Sequence, residues 1–389
     1  MAGLAGTASA IGIIIWLHPP AILATVLLLT GCAVPMWWLE AKRHGHSHSR
    51  RHRGTQLRNI KRNLRRIGLI GLMILGAASL QLQRSLAPEW ISGLYDFVLP
   101  LLVVALIWII WYLARPLRQA ELDTIESLGL VFHRLIGRKR LRHQDRTTLL
   151  GWLVKAFFLP LMLAWTHVWA SSAWLASDGY RSLASLFVIA MALLYVVDTA
   201  FGTIGYLSTS RRIGAQIQSV DATWLGWLSA LVCYPPLSVL VLHQWLVYKD
   251  GYEWNAWLAG HVWASAAWGG TILLLTGIYT WSTVVFGPRF SNLTHRGIIT
   301  SGPFRYTKHP AYISKNLSWW MISVPFVSNA GTTVALTHCL ALLGVNAIYW
   351  VRAKTEERHL MHDPVYRDYA AWIARHGVFA RLMRAGRAS

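Results

Sequence analysis

The chain has 389 residues, of which 54% are hydrophobic and only 14% charged, with a mean hydropathy of +0.39. A water-soluble domain carries about 25% charged residues, so this composition excludes a chain that covers itself with charge. The net charge of +21 is gathered in loops between apolar blocks, which argues against a nucleic-acid face and for the positive-inside pattern of a membrane protein, with anionic lipid headgroups as the partners of those loops.

The apolar residues come as solid blocks near the roughly 20 residues a bilayer-crossing helix needs. A β-barrel would show alternation instead. The first stretch, Leu4–Leu17, has no basic residues before it and runs into Pro19-Pro20, so it is not a cleavable signal; a short span, a re-entrant segment and an interfacial helix all fit it. Nine blocks then read as spans: Ala21–Leu39, Ile67–Gln83, Phe97–Leu113, Gly151–Leu175, Leu183–Leu207, Trp224–Val247, Trp257–Val285, Tyr312–Val327 and Thr332–Val351. Lys42–Arg66 and Arg115–Thr148 are basic loops, the second with an amphipathic stretch at Leu128–Ile136. Arg211 and Arg212 follow the fifth block; Arg289, Arg296, Arg305 and Lys308 follow the seventh. The intervening loops are poorer in basic residues and hold acids such as Glu89, Asp178 and Asp250. Alternation of this kind predicts an all-α polytopic membrane protein of nine helices, or ten if Leu4–Leu17 crosses, with a cytoplasmic C-terminus. The compact His- and Arg-rich loops point to a bacterial inner membrane.

Cys32, Cys233 and Cys339 are scattered through apolar segments and give neither a disulfide framework nor zinc spacing. His44, His46, His48 and His52 alternate with Gly, Ser and Arg, but a metal avoids so many adjacent positive charges, and no metal is expected. Lys155, His167, Asp198, His261, His338 and Asn346 fall inside apolar blocks, where a polar group is expensive and functional by default. Asp198 is the most informative of these. A bundle-internal partner such as Lys155 and a substrate headgroup are its two candidate contacts.

Chemistry concentrates after residue 255. The stretch Gly297–Tyr312, GIITSGPFRYTKHPAY, mixes glycines, prolines, hydroxyls and basic residues directly before an apolar block. Such backbone belongs inside protein or along a polar cavity. Gly302-Pro303 marks a turn, and Pro310 starts a helix where a missing N–H does no harm. His309 therefore stands at a helix entrance, whose free N–H groups favour an anion. Only Ser328–Gly331 separate the eighth and ninth blocks, which makes an antiparallel hairpin. Beyond it, Arg352 and Glu356 share one helix face four residues apart.

At this point the chain resembles a known family. Gly302-Pro303-Phe304-Arg305-Tyr306 with Lys308-His309-Pro310-Ala311-Tyr312 is similar to the G-x-Y-R-x-x-R-H-P-x-Y signature of the isoprenylcysteine carboxyl methyltransferase family. Arg352-x-x-x-Glu356-Glu357-x-x-Leu360, followed by Tyr366 and Tyr369, resembles that family's downstream element. The resemblance covers about residues 285–375. It implies an integral-membrane methyltransferase using S-adenosylmethionine, bound where the two motifs meet. Carried over, His309, Tyr312, Glu356 and Glu357 would contact the cofactor, Arg305 and Tyr306 would shape the loop around it, and Arg352, Glu356 and His309 would serve catalysis. Lys308 stands where the family usually has Arg, and Ser314 where it often has Gly.

The expected organisation is thus an N-terminal transmembrane region, 1–254, shaping the acceptor site, and a methyltransferase module, 255–389, with cofactor motifs at 302–312 and 352–369. The acceptor is expected to be lipidic or lipid-anchored, with Asp198 contributing to its recognition, and its nucleophile a carboxylate, amine or thiol. An NADPH-dependent reductase resembling the steroid and sterol reductases, and a transporter or scaffold, are the competing readings.

Overall fold

Helices account for nearly all of the regular structure, as an apolar chain in lipid requires of its backbone polar groups. The computed structural model describes the backbone of every residue except 45–54, 118–121, 178–182 and 389. In chain order the helices begin with α1 (Ala2–Leu17), α2 (Ala21–His44), α3 (Thr55–Leu86), α4 (Val98–Ala114) and the amphipathic α5 (Thr124–Ile136). There follow α6 (His143–Ser177), α7 (Leu183–Leu207), the two-residue strand β1 (Ser219–Val220) and three short helices, α8 (Trp224–Leu231), α9 (Leu237–Val241) and α10 (Trp254–Trp257). The C-terminal part holds α11 (Val262–Phe286), the strand β2 (Thr294–His295), α12 (Pro310–Ser323), α13 (Thr332–Leu360), α14 (Pro364–His376) and α15 (Val378–Ala388).

Among the described residues, seven helices are long and apolar enough to cross a membrane: Ala21–His44, Asn59–Leu86, Pro88–Ala114, His143–Ser172, Ala184–Leu207, Val262–Arg289 and Thr332–Leu360. The fold is therefore an all-α polytopic membrane protein. Leu99, Leu102, Val104 and Ile107 of α4 stand mostly exposed, which is the surface a lipid-facing helix presents. The reading of nine uninterrupted spans is corrected in two places. Trp224–Val247 is broken at Pro235-Pro236, which cannot continue a helix, into α8 and α9 of eight and five residues. Tyr312–Val327 yields only the 14-residue α12, about 21 Å at 1.5 Å per residue, against a hydrocarbon core of roughly 30 Å.

Both segments nevertheless carry the chain from one end of the bundle to the other. At one end β1 pairs antiparallel with β2, Ser219 facing His295, so the loops after α7 and α11 lie together. Arg296 rivets them, donating to the carbonyls of Gly205 (2.7 Å) and Ser208 (2.8 Å). At the opposite end the Ser328 hydroxyl donates to Asp250 Oδ2 at 2.7 Å. The passages 221–250 and 310–328 thus link the two ends, and Asp221, Gly226, Ala230 and Tyr234 of the first line the cavity described below.

The first apolar stretch forms α1, running antiparallel against α2. A Cβ on Gly6 would sit 2.0 Å from the Gly31 carbonyl oxygen, so this contact requires glycine. With 16 residues, α1 falls short of the length the seven reach.

Candidate active site

The turn before α12 sets the site. Gly302 adopts φ +60°, which an L side chain rarely takes, and a Cβ there would lie 2.8 Å from Val285 Cγ1. Pro303 and Phe304 follow in one 3₁₀ turn, and Pro310 opens α12 with His309 as its N-cap. The Tyr369 hydroxyl donates to the carbonyls of Phe304 (2.8 Å) and Thr307 (3.3 Å), clamping this loop to α14. Tyr366 and Tyr369 pack with Ile299, Phe304 and Ile373 in one apolar cluster, and burial pushes both phenols well above their ordinary range.

The last turns of α13 meet this loop. His309 Nε2 lies 2.9 Å from Glu357 Oε1, and Lys308 Nζ lies 2.9 Å from Glu357 Oε2. Lys354 approaches the same oxygen at 3.3 Å, so Glu357 is saturated and braces the first motif against the second. Tyr312 donates its hydroxyl to Glu356 Oε1, and Arg352 Nε approaches the same oxygen at 3.4 Å. Among the described residues no hydrogen bond reaches Glu356 Oε2. The His309 and Tyr312 rings stack, with centroids 5.6 Å apart and planes 9° from parallel.

These groups face a cavity of about 1380 Å³, its open mouth included. Its floor is aromatic. The Arg352 guanidinium lies over the rings of Tyr234, Tyr312 and Tyr349 at 5.2–5.9 Å and donates to Asn292 Oδ1 at 2.6 Å. One turn above Tyr312, the Lys315 ammonium sits over Tyr279, Trp319 and Tyr349 at 5.1–5.6 Å. Among the described residues it makes no hydrogen bond. Such aromatic faces stabilise a cation removed from water.

The rim comes from residues 289–299. Thr294 Oγ1 and Arg296 Nε are buried without a hydrogen-bond partner among the described residues, and both residues line the cavity. Burial lowers the Arg296 guanidinium to about 10, against the pull of Tyr206. Burial also lowers the His295 imidazole below its ordinary value, opposed by Asp363, whose Oδ2 lies 3.2 Å from His295 Nε2 at an angle unsuited to a hydrogen bond.

Of the residues singled out from sequence, His309, Tyr312, Arg352 and Glu356 share the cavity wall, with Glu357 directly behind His309. Arg305 and Tyr306 do not reach it. They point outward, Tyr306 being 57% exposed, and the Tyr306 carbonyl accepts from the Val378 N–H at 2.9 Å. Ser314 turns its hydroxyl to the Pro310 carbonyl (2.8 Å) and stays outside the wall.

Asp198 departs from the expected pairing with Lys155. It neither pairs with Lys155, whose ammonium lies over Trp152 at 4.8 Å, nor lines the cavity. Instead it accepts from Tyr279 (2.6 Å) and Thr283 (2.5 Å), two residues that do line it. It sits one layer behind the cavity wall. His167 is held by Thr25 and Asp96, and Asn346 by Trp320 and Asn316. His261 caps α11 rather than lying within a span. His46, His48 and His52 lie outside the described residues, and among the described residues no group of three His, Cys, Asp or Glu side chains suits a metal.

Sequence reading missed Asn292, Tyr234, Tyr279, Lys315 and Tyr349. Lys315 alone carried a signal, being a lysine inside a block read as a span.

Residues 264–362 match the sequence model of the Isoprenylcysteine carboxyl methyltransferase (ICMT) family, about a quarter of the chain. No curated protein and no solved structure matches. The match contains the first motif, the hairpin, the Arg352–Leu360 part of the second motif and most of the cavity wall, so it is this segment of a polytopic membrane protein that is similar to the isoprenylcysteine carboxyl methyltransferase family.

Proposed function

We propose that this membrane methyltransferase takes its methyl group from S-adenosylmethionine, bound between the two motifs, and delivers it to a lipidic acceptor from the cytoplasmic face of the membrane, a bacterial inner membrane on the sequence reading. The observation that carries this reading is the junction of His309, Tyr312 and Glu356 at one cavity, with Glu356 Oε2 left free to accept.

The residues present suit that cofactor. Glu356 Oε2 offers an acceptor to ammonium or ribose hydroxyl groups, while Thr294 Oγ1 and Arg296 Nε offer buried partners to polar groups of the ligand. When bound, the sulfonium supplies an activated methyl group and a neutral leaving group. The chain's own work is then positioning and exclusion of water. Glu357 fixes Lys308 and His309, the Tyr312–Glu356–Arg352 chain fixes the facing wall, and Tyr234, Tyr279 and Tyr349 keep the floor dry.

Lys315 bears on the acceptor. An ammonium with no hydrogen bond among the described residues, partly offset by the nearby Asp198 carboxylate, attracts a carboxylate or thiolate and repels an ammonium. An anionic nucleophile also needs no general base. The helices before residue 255 shape the acceptor's lateral entry on this reading, with Asp198 holding the wall residues Tyr279 and Thr283.

Calorimetric titration of the purified protein with S-adenosylmethionine, S-adenosylhomocysteine and NADPH tests the donor. Binding of the first two and not the third is expected. Binding of NADPH alone would replace the reading with a reductase, and binding of none would leave a scaffold.

A further inference from the structure

A second cleft lies away from the motifs, where α3 and α5 meet. The two helices touch backbone to backbone: a Cβ on Gly129 would fall 1.9 Å from the Leu64 carbonyl oxygen, and one on Gly68 would fall 2.1 Å from that of Ile125. The acids nearby are already committed. Glu126 takes Arg65 Nε at 2.8 Å and Lys61 Nζ at 3.7 Å. Asp145 takes the Arg134 side chain and the Arg142 backbone N–H. Arg66, Lys139, Arg140 and the Arg142 side chain have no ion pair among the described residues. All four line a cleft of about 1480 Å³, its open mouth included, whose described wall contains no Asp or Glu.

Besides these cations the lining holds Asn63, His133 and the ion-paired Arg134, and an apolar wall. Ile60, Leu64, Ile67 and Leu130 form that wall. At its edge Ile136 is 77% exposed and Leu135 43%, beside the basic turn that follows α5. Large apolar side chains left bare next to a cluster of cations mark the level where headgroups meet acyl chains. The cleft also lies at the same end of the bundle as the motif cavity. Trp152 of α6, which donates to the Thr124 carbonyl at the start of α5, neighbours Gly151, where a Cβ would touch Ile217 beside β1 at 3.0 Å.

We propose that this cleft is a binding site for an anionic phospholipid. Arg66, Lys139, Arg140 and Arg142 hold the phosphate, and the acyl chains descend along Ile60 and Ile67 into the membrane. Charge selects the headgroup, because four cations without an ion pair among the described residues favour a net negative lipid over a zwitterionic one. The apolar wall selects a lipid over a free phosphate, since inorganic phosphate would leave Ile60, Leu64, Ile67 and Leu130 uncovered. The site stands apart from the methyl-transfer reading and survives its failure.

The test titrates the purified full chain in mild detergent with phosphatidylglycerol or phosphatidylcholine of identical chains, with bound lipid counted by native mass spectrometry. Phosphatidylglycerol is expected to bind at least tenfold more tightly, and the preference to fall as NaCl rises from 0.05 to 0.5 M. The double substitution Arg140→Gln/Arg142→Gln is expected to abolish the preference. Arg367→Gln/Arg375→Gln, which removes the same charge elsewhere, leaves it intact. Equal affinity for the two lipids in the wild-type protein needs no variant to interpret and would overturn the proposal. An unchanged preference in Arg140→Gln/Arg142→Gln, or full competition by 10 mM inorganic phosphate, would also overturn it.

Discussion

Two Arg–Glu pairs, one in each half of the chain, show what separates a strut from a site. Arg65 and Glu126 lie between α3 and α5, with side chains 5% and 2% exposed. Both carboxylate oxygens of Glu126 are occupied: Oε1 by Arg65, Oε2 by the Asp123 N–H at 3.1 Å within a capping box, with Lys61 nearby. Arg352 and Glu356 are spaced for the same pairing, yet Glu356 is 32% exposed and its three-way arrangement with Tyr312 and Arg352 converges on one oxygen only. The first pair has no capacity left for a ligand. The second keeps an acceptor aimed at a cavity. Ion pairing by itself marks neither; spare hydrogen-bonding capacity facing open space marks the site.

The comparison breaks most visibly through Glu126→Gln. The substitution keeps the shape but leaves two cations buried without their counter-charge, and orphaning a buried pair costs about 3–5 kcal/mol. The expected result is a large fall in the thermal midpoint in detergent, with the affinity of the folded fraction for S-adenosylhomocysteine unchanged. A stable Glu126→Gln protein with weakened cofactor binding would dissolve the distinction between the pairs.

Glu356→Gln is the reciprocal case. It sits at a wet rim, so stability should hold, while S-adenosylhomocysteine affinity should fall at least tenfold, about 1.4 kcal/mol. Tyr312→Phe, which removes the hydroxyl that orients Glu356, should give a smaller loss in the same direction. Wild-type affinity in both variants would remove the site assignment.

How far these regions were legible from sequence follows from the range of the contacts involved. The motif residues were readable because the cavity's mouth is built from two short runs, 302–312 and 352–369, brought together by one hairpin. The floor was not. Asn292, Tyr234 and Tyr279 reach Arg352 and Asp198 across 60 to 118 residues of chain, and nothing local marks an aromatic residue as floor rather than core. Lys315 was within reach, because a lysine in an apolar block calls for a function and it stands one turn from Tyr312. The interrupted passages were misread for a related reason. Hydropathy averages over Pro235-Pro236, whereas helix geometry does not.

Asp198→Asn sharpens the comparison at intermediate size. Asp198 accepts from Tyr279 and Thr283 with separate oxygens, and an amide offers only one acceptor. One hydroxyl then loses its anchor, which costs about 1 kcal/mol. The expected outcome is a rise of about threefold to tenfold in KM for the acceptor, with the Kd for S-adenosylhomocysteine unchanged. Lys155→Met should give no rescue, because Lys155 is not the partner. Rescue by Lys155→Met would restore the buried-pair reading, and methylation confined to water-soluble acceptors would sink the lipidic one.

The smallest effect is expected at His295, where the rim of the cavity is pinned by β2. Its imidazole is 7% exposed, and burial lowers its pKa below the ordinary value near 6.5, with Asp363 opposing. The unfolded chain therefore binds the proton more readily than the fold. Stability from this group is complete above about pH 6.5 and is lost as pH falls through the lowered folded value. The thermal midpoint of the wild-type protein should accordingly decline on the acid side of pH 6.5, and His295→Gln should flatten that limb while leaving the midpoint at pH 8 within a few degrees. Asp363→Asn should steepen it, because the carboxylate is what partly offsets the cost of charging His295. A steeper acid limb in His295→Gln would mean that the Asp363 attraction outweighs burial, and that the rim is held by a charged pair of the Arg65–Glu126 kind rather than by a neutral, ligand-facing group.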